Sequence, residues 1–170
     1  MKISPSKIVK NLYKLKSAPG RFEEIIYKKQ SSKIIIDYAH TPEAIQNLLK
    51  SYSNKSFKPS LVFGCGGERD KTKRKKMAII AHKYANKIYL TDDNPRNENP
   101  NLIRKTLKKY CQKAKDISNR RSAIHTAISE IDQKDILIIA GKGHEKYQII
   151  KNRKYLFDDY QVVQKFIKSL

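Results

Sequence analysis

From Arg21 onward, short runs of apolar residues alternate with longer segments in which apolar positions recur every three or four residues. The runs predict strands near 22–28, 33–37, 60–64, 87–91, 114–118 and 135–140, and the periodic segments predict helices near 42–52, 71–85, 100–112 and 120–131. Strand and helix in alternation argue for an α/β domain with a mostly parallel sheet and right-handed crossovers. Ahead of this pattern, Ile8, Val9, Leu12 and Leu15 predict a short amphipathic helix over 5–16, stopped by Ala18-Pro19-Gly20. Behind it, 146–151 and 154–157 read as a hairpin joined by Asn152-Arg153, followed by a last helix from Asp158 or Asp159 to the end. There are no internal repeats and no low-complexity linker, so one domain is expected behind the leading helix.

The 170 residues suit one domain, or one domain with a small part of another. Thirty-seven Lys and Arg against 16 Asp and Glu give a net charge of +21, which taken alone points to a nucleic-acid or anionic-membrane partner. The distribution weakens that reading: 29 lysines to 8 arginines, spread from Lys2 to Lys168 alongside 22 isoleucines and 10 asparagines, look like the bias of an AT-rich genome. The densest basic run, Lys71 to Lys76, reads as the solvated face of a helix start. No helix-turn-helix, zinc-finger spacing or aromatic RNA-binding stripe accompanies it, so a basic nucleic-acid-binding α/β domain is the alternative reading and no specific nucleic acid is expected. Cys65 and Cys111 form no C-x-x-C pair and are expected to be reduced thiols. No apolar stretch approaches the roughly 18–20 residues of a membrane span, and no signal-peptide core is evident, so no membrane partner and a cytoplasmic location are expected.

The unusual residues fall at the carboxyl ends of the predicted strands, where open α/β sheets bind ligands. They are Asp37-Tyr-Ala-His-Thr-Pro42, Gly64-Cys-Gly-Gly-Glu-Arg-Asp70, Thr91-Asp-Asp-Asn-Pro-Arg96 and Gly141-Lys-Gly-His-Glu145. Thr41 suits a helix cap with Pro42 at the first helical position. Asp37 suits a ribose hydroxyl or simply orders the turn; His40 suits a phosphate or a reacting group, or merely fills the surface. The glycines of 64–67 let backbone approach a ligand, and Arg69 and Arg96 offer planar forks for carboxylates. Two arginines with Glu145 opposite them fit a zwitterionic amino acid better than a simple phosphate. A nicotinamide enzyme would need a glycine fingerprint after the first strand, and Ile34-Ile-Ile-Asp-Tyr-Ala lacks one.

These motifs, together with Pro19-Gly-Arg-Phe-Glu23, occur in this order and spacing in the Mur ligases, and from about residue 5 to the end the chain resembles the C-terminal domain of their diaminopimelate-adding members. The resemblance implies a Rossmann-like sheet flanked by helices, with a C-terminal hairpin. It implies residues 1–18 as the last helix of a central ATPase domain and 19–170 as the amino-acid-binding domain. It also implies an ATP-dependent amide ligase of peptidoglycan synthesis, in which ATP with Mg2+ phosphorylates the D-glutamate carboxyl of a UDP-N-acetylmuramoyl dipeptide and the amine of meso-diaminopimelate displaces phosphate. By motif position, Arg69, Asp93, Asn94, Pro95, Arg96, Gly141 and Glu145 would line the diaminopimelate pocket. Arg21, Asp37 and His40 would reach the nucleotide, and the resemblance places no metal ligand or catalytic residue here. Glu68, Thr72 and Lys75 depart from the family pattern, which usually has Asp, Gly and Pro there. No G-x-x-x-x-G-K-[ST] phosphate loop occurs, so the chain is expected to be a fragment or split gene product that lacks the central and N-terminal domains, holds no ATP or Mg2+ alone and does not turn over by itself.

Overall fold

The isoleucine-rich runs become the inner strands of a six-stranded sheet. The computed structural model describes residues 4–12 and 18–170. The strands are β1 (Glu23–Tyr27), β2 (Ser32–Asp37), β3 (Ser60–Phe63), β4 (Ile88–Leu90), β5 (Lys115–Asp116) and β6 (Ile136–Ala140), in spatial order β1-β2-β6-β3-β4-β5. All neighbours pair in parallel except β1, which runs antiparallel to β2 at one edge. The helices between them are α2 (Pro42–Ser51), α3 (Thr72–Tyr84), α4 (Pro100–Tyr110) and α5 (Arg120–Ser129).

Continuous apolar strands arise because both faces of the sheet are covered. Alternation assigns each residue to a face: Ile35, Leu61, Phe63 and Ile138 pack with α2, α3 and α4, whereas Ile34, Ile36, Val62, Leu137 and Ile139 pack with α5 and the final helix, α6 (Asp159–Ser169). All nine side chains are 0% exposed, each contributing about 1.5–3 kcal/mol through burial. Chain direction reverses between β3, which leads outward to β4 and β5, and β6, which returns between β2 and β3; loops diverge at that point and open a crevice.

Side chains fix the helix starts. Thr41 accepts a hydrogen bond from the Ala44 N–H with Pro42 at the first helical position, Asn99 and Asn119 cap α4 and α5, and Asp158 caps α6. α3 lacks a conventional cap, and Asp70 instead accepts from the Thr72 N–H and hydroxyl at 2.9 and 2.7 Å, which holds its carboxyl below the usual range.

The hairpin pairs β7 (Tyr147–Ile150) with β8 (Arg153–Leu156), and the turn is Lys151-Asn152, one residue earlier than the sequence pattern implied. Lys151 takes φ 52°, a left-handed conformation the pattern did not reveal. The leading helix is described as α1 (Pro5–Leu12); residues 13–16 of the expected helix lie outside the described residues. Among the described residues no helix is long and apolar enough to cross a membrane.

Candidate functional site

Three loops meet over the switch point: 64–71 after β3, 91–99 after β4 and 141–146 after β6. They enclose a cleft of about 320 Å³, with Tyr38 and His40 of the β2–α2 loop at its side. Backbone packs on backbone between the first two loops. A Cβ at Gly64 would lie 2.3 Å from the Thr91 carbonyl oxygen, and one at Gly67 would lie 2.0 Å from that of Pro95. Gly64 and Gly66 also line the cleft, so these glycines let one loop approach the other and leave backbone open to the cleft, as the sequence suggested.

The β4–α4 loop is clamped from outside by the hairpin. The Arg96 N–H donates to the Ile149 carbonyl at 3.0 Å, Lys151 donates to that of Arg96 at 2.7 Å, and Gln148 donates to the carbonyls of Asp92 and Asp93. This pairing holds Arg96 at φ 51°, which a side chain adopts only under constraint. Its Nη1 donates to the Gly67 carbonyl at 2.8 Å and more weakly to that of Asn94, leaving Nε and Nη2 without a partner among the described residues. One edge of the fork is therefore fixed while the other stays open. Arg69, exposed at the rim, has no ion pair or hydrogen bond among the described residues.

The same cleft carries acids. Asp93 is 7% exposed, and its Oδ1 is buried without a hydrogen-bond partner. Asn94 donates to Glu145 Oε2 at 3.0 Å and accepts from the Ile149 N–H at 3.0 Å. The cleft is thus lined by both signs of charge, Arg69, Lys73 and Arg96 together with Asp93 and Glu145.

The structure brings Arg69, Asp93, Asn94, Arg96, Gly141 and Glu145 together around this cleft. Pro95 does not line it; its carbonyl accepts from Glu98, shaping the turn that aims its neighbours. Arg21, Asp37 and His40 line an adjoining depression of about 230 Å³, which shares Tyr38 and His40 with the larger cleft. Both Asp37 oxygens accept backbone N–H groups, from Ala39 at 2.8 Å and Phe22 at 2.9 Å, so its turn-ordering role is built in. His40 Nδ1 lies 2.8 Å from the Tyr38 carbonyl, which can only accept; Nδ1 therefore carries a proton and Nε2 is left for a ligand.

Several residues around the cleft carried no distinguishing mark in the sequence. Lys142 is 0% exposed, with its ammonium 3.1 Å from both Asn94 Oδ1 and Glu145 Oε2. The basic run is not one solvated face: Lys71, Lys75 and Lys76 face solvent, Lys73 lines the cleft, and Arg74 is buried. Arg74 reaches the Gly66 carbonyl and Glu98, and its hydrogen bond holds the Glu98 carboxyl below the ordinary range. Cys65 lines the cleft as an inert thiol, since burial pushes its pKa up to about 12.

Comparison with known proteins follows this geometry closely. The model of the Mur ligase, glutamate ligase domain family matches residues 20–143. The UDP-N-acetylmuramoyl-L-alanyl-D-glutamate--2,6-diaminopimelate ligase of Rickettsia rickettsii is 46% identical over 166 residues, which cover 95% of this chain and 34% of that protein. Its namesake from Buchnera aphidicola subsp. Baizongia pistaciae is 43% identical over 167 residues, covering 95% and 33%. A solved structure of an enzyme with the same name superposes with a TM-score of 0.80 at 37% identity, covering 98% of this chain and 35% of that one. Folylpolyglutamate synthase from Thermotoga maritima shares the fold at 21% identity, with a TM-score of 0.60. The chain spans about a third of the length of the curated relatives it matches, and it belongs to the Mur ligase family, through the glutamate ligase domain.

Proposed function

We propose that this chain is the C-terminal, amino-acid-binding part of an ATP-dependent ligase that joins meso-diaminopimelate to UDP-N-acetylmuramoyl-L-alanyl-D-glutamate. The observation that carries the reading is a single cleft lined both by the cations Arg69, Lys73 and Arg96 and by the acids Asp93 and Glu145. A zwitterionic end of diaminopimelate matches both sets: its carboxylate meets the open edge of Arg96 and Arg69, and its ammonium meets the carboxylates of Asp93 and Glu145. Charge-assisted contacts of this type are each worth roughly 1.5–3 kcal/mol, about 10- to 150-fold in affinity. The side chain of lysine ends in an ammonium alone, so in the same pose it would leave the arginines unmatched. The far amine of diaminopimelate is then left free to attack the activated carboxyl of the nucleotide-linked substrate, with phosphate as the leaving group.

ATP would supply the activation of the D-glutamate carboxyl. The residues here fit only an edge contribution to it: Arg21 is exposed and His40 Nε2 is open, Asp37 is engaged by backbone, and the sequence has no phosphate loop. Residues 1–18 are read as the end of the preceding ATPase domain, and 19–170 as the domain that brings the amino acid. The site of action that follows from a nucleotide-linked substrate is the cytoplasm.

The test is a chimera in which this chain replaces the matching third of the Rickettsia rickettsii relative. Amide formation is expected to favour meso-diaminopimelate over L-lysine by at least about 10-fold in kcat/KM, and Arg96→Ala is expected to erase most of that margin. Equal use of both amino acids by the unmutated chimera would contradict the assignment.

A further inference from the structure

We propose that Lys142 is a positioning residue, a resident ammonium that gathers the acids of the cleft and leaves them one positive charge short, so that the ligand's ammonium completes the set. The proposal rests on the reading of the cleft as the pocket for one zwitterionic end of diaminopimelate.

A lysine that is 0% exposed requires compensation, because an isolated ammonium taken out of water costs several kcal/mol. Lys142 finds it among the residues expected to meet the ligand. Its Nζ donates to Asn94 Oδ1 and Glu145 Oε2, both at 3.1 Å, and stands 3.7 Å from Asp93 Oδ1, near enough for Coulomb attraction and too far for a hydrogen bond. Asn94 completes the ring by donating to the same Glu145 oxygen at 3.0 Å. Gly141 and Gly143, on either side, have φ 114° and 49°, so the backbone that turns this lysine inward is one that side chains at those positions would resist.

Charge counting gives the consequence. Asp93 and Glu145 carry two negative charges and Lys142 carries one positive charge. The other buried cation nearby, Arg120, is matched by Asp159 through bonds of 2.8 and 2.7 Å. Within this group one negative charge remains unmatched; Asp93 Oδ1 is buried beside Lys142 without a donor, and the other oxygen of the same carboxylate lies next to Gly141 at the cleft. Without Lys142 the two carboxylates would repel across the gap it occupied, and Glu145, whose side chain is 21% exposed, would swing toward water. Lys142 therefore acts through Asn94, Asp93 and Glu145, by holding them in the geometry an incoming ammonium needs.

The test compares meso-diaminopimelate with pimelate, which keeps both carboxylates and lacks both ammonium groups. In calorimetric titrations the unmodified 170-residue chain is expected to prefer diaminopimelate by about 10-fold or more. Lys142→Met is expected to bring that preference below about 3-fold while pimelate binding stays within about 2-fold, because the arginines are untouched. An undiminished preference overturns the role of Lys142 alone, and so does an equal weakening of both ligands, which would mark a general structural loss. Absence of any preference in the unmodified chain contradicts the reading of the cleft, and the positioning role falls with it. Should Lys142→Met not fold, the 15N-labelled ammonium of Lys142 in the unmodified chain decides. Its signal is expected to shift with diaminopimelate and far less with pimelate, and equal shifts with both overturn the proposal.

Discussion

Replacing Arg120 with methionine breaks a fully buried ion pair that also reaches the carboxyl end of β6. Arg120 and Asp159 are both 0% exposed; the guanidinium grips the carboxylate through Nε at 2.8 Å and Nη2 at 2.7 Å, and Nη2 also donates to the Ala140 carbonyl at 3.0 Å. Burial works against the charge on Arg120, and the field and hydrogen bonds of Asp159 more than offset it, so the guanidinium stays protonated. Methionine fills much of the volume but strands the Asp159 carboxylate without a counter-charge. Breaking a buried pair from one side costs about 3–5 kcal/mol, a large part of the roughly 5–15 kcal/mol that holds a domain folded. For a chain of this size that is a fall of about 6–20 °C in Tm. The double variant Arg120→Met, Asp159→Leu leaves no orphan charge and also removes Arg120 Nη1, which is buried without a partner. It is therefore expected to recover most of the loss. Urea unfolding followed by circular dichroism measures both. A single variant within about 1 kcal/mol of the parent, or a double variant no more stable than the single, would refute the assignment of this pair as a tightly coupled buried unit.

Three further outcomes follow from the geometry. Gly67→Ala puts a methyl group 2.0 Å from the Pro95 carbonyl oxygen, where only backbone can yield; a loss of about 1–3 kcal/mol in chemical denaturation and weaker diaminopimelate binding are expected, and an unchanged protein would show that the two loops are not packed as described. Glu98 is held below the ordinary carboxyl range chiefly by the Arg74 hydrogen bond, so its contribution is present above the unfolded carboxyl pKa near 4.5 and is lost as pH falls through the lower folded value. Glu98→Gln should accordingly be less stable than the parent at pH 7 and close to it near pH 3, as read by urea midpoints. Cys65, raised to about 12, and Cys111, raised by burial, should not react with a disulfide reagent at pH 8 in the folded chain, and both should react once it is unfolded.

The inner strands were legible because Lys33–Asp37 and Asp135–Ala140 are apolar on both faces, a pattern that leaves little room for another element. Edges were harder. The strand expected near 114–118 contracts to Lys115–Asp116, which lies exposed at the end of the sheet where one side has no neighbour to extend the ladder. Periodicity sent the polar loops after the strands to one rim, and the family resemblance picked out the six cleft residues within them. Lys142 stood inside the Gly141–Glu145 motif, but its burial and its bond to Asn94, 48 residues away, could not be read from the sequence. The hairpin's clamp on Arg96 was hidden for the same reason, since its bonds join residues more than 50 positions apart in sequence. The glycines of 64–67 were legible as positions of close backbone approach, but the approach of Gly64 and Gly67 to the neighbouring loop depended on tertiary packing.

The central claim is that one cleft reads both charges of a zwitterionic amino-acid end, and the most direct test is a crystal structure of this chain with meso-diaminopimelate. The expected result is a ligand carboxylate on the open edge of Arg96 and on Arg69, with the ammonium about 3 Å from a carboxylate oxygen of Asp93 or Glu145. A ligand seated instead in the depression beside Arg21 and Thr41, or one whose ammonium points away from Asp93 and Glu145, would contradict it.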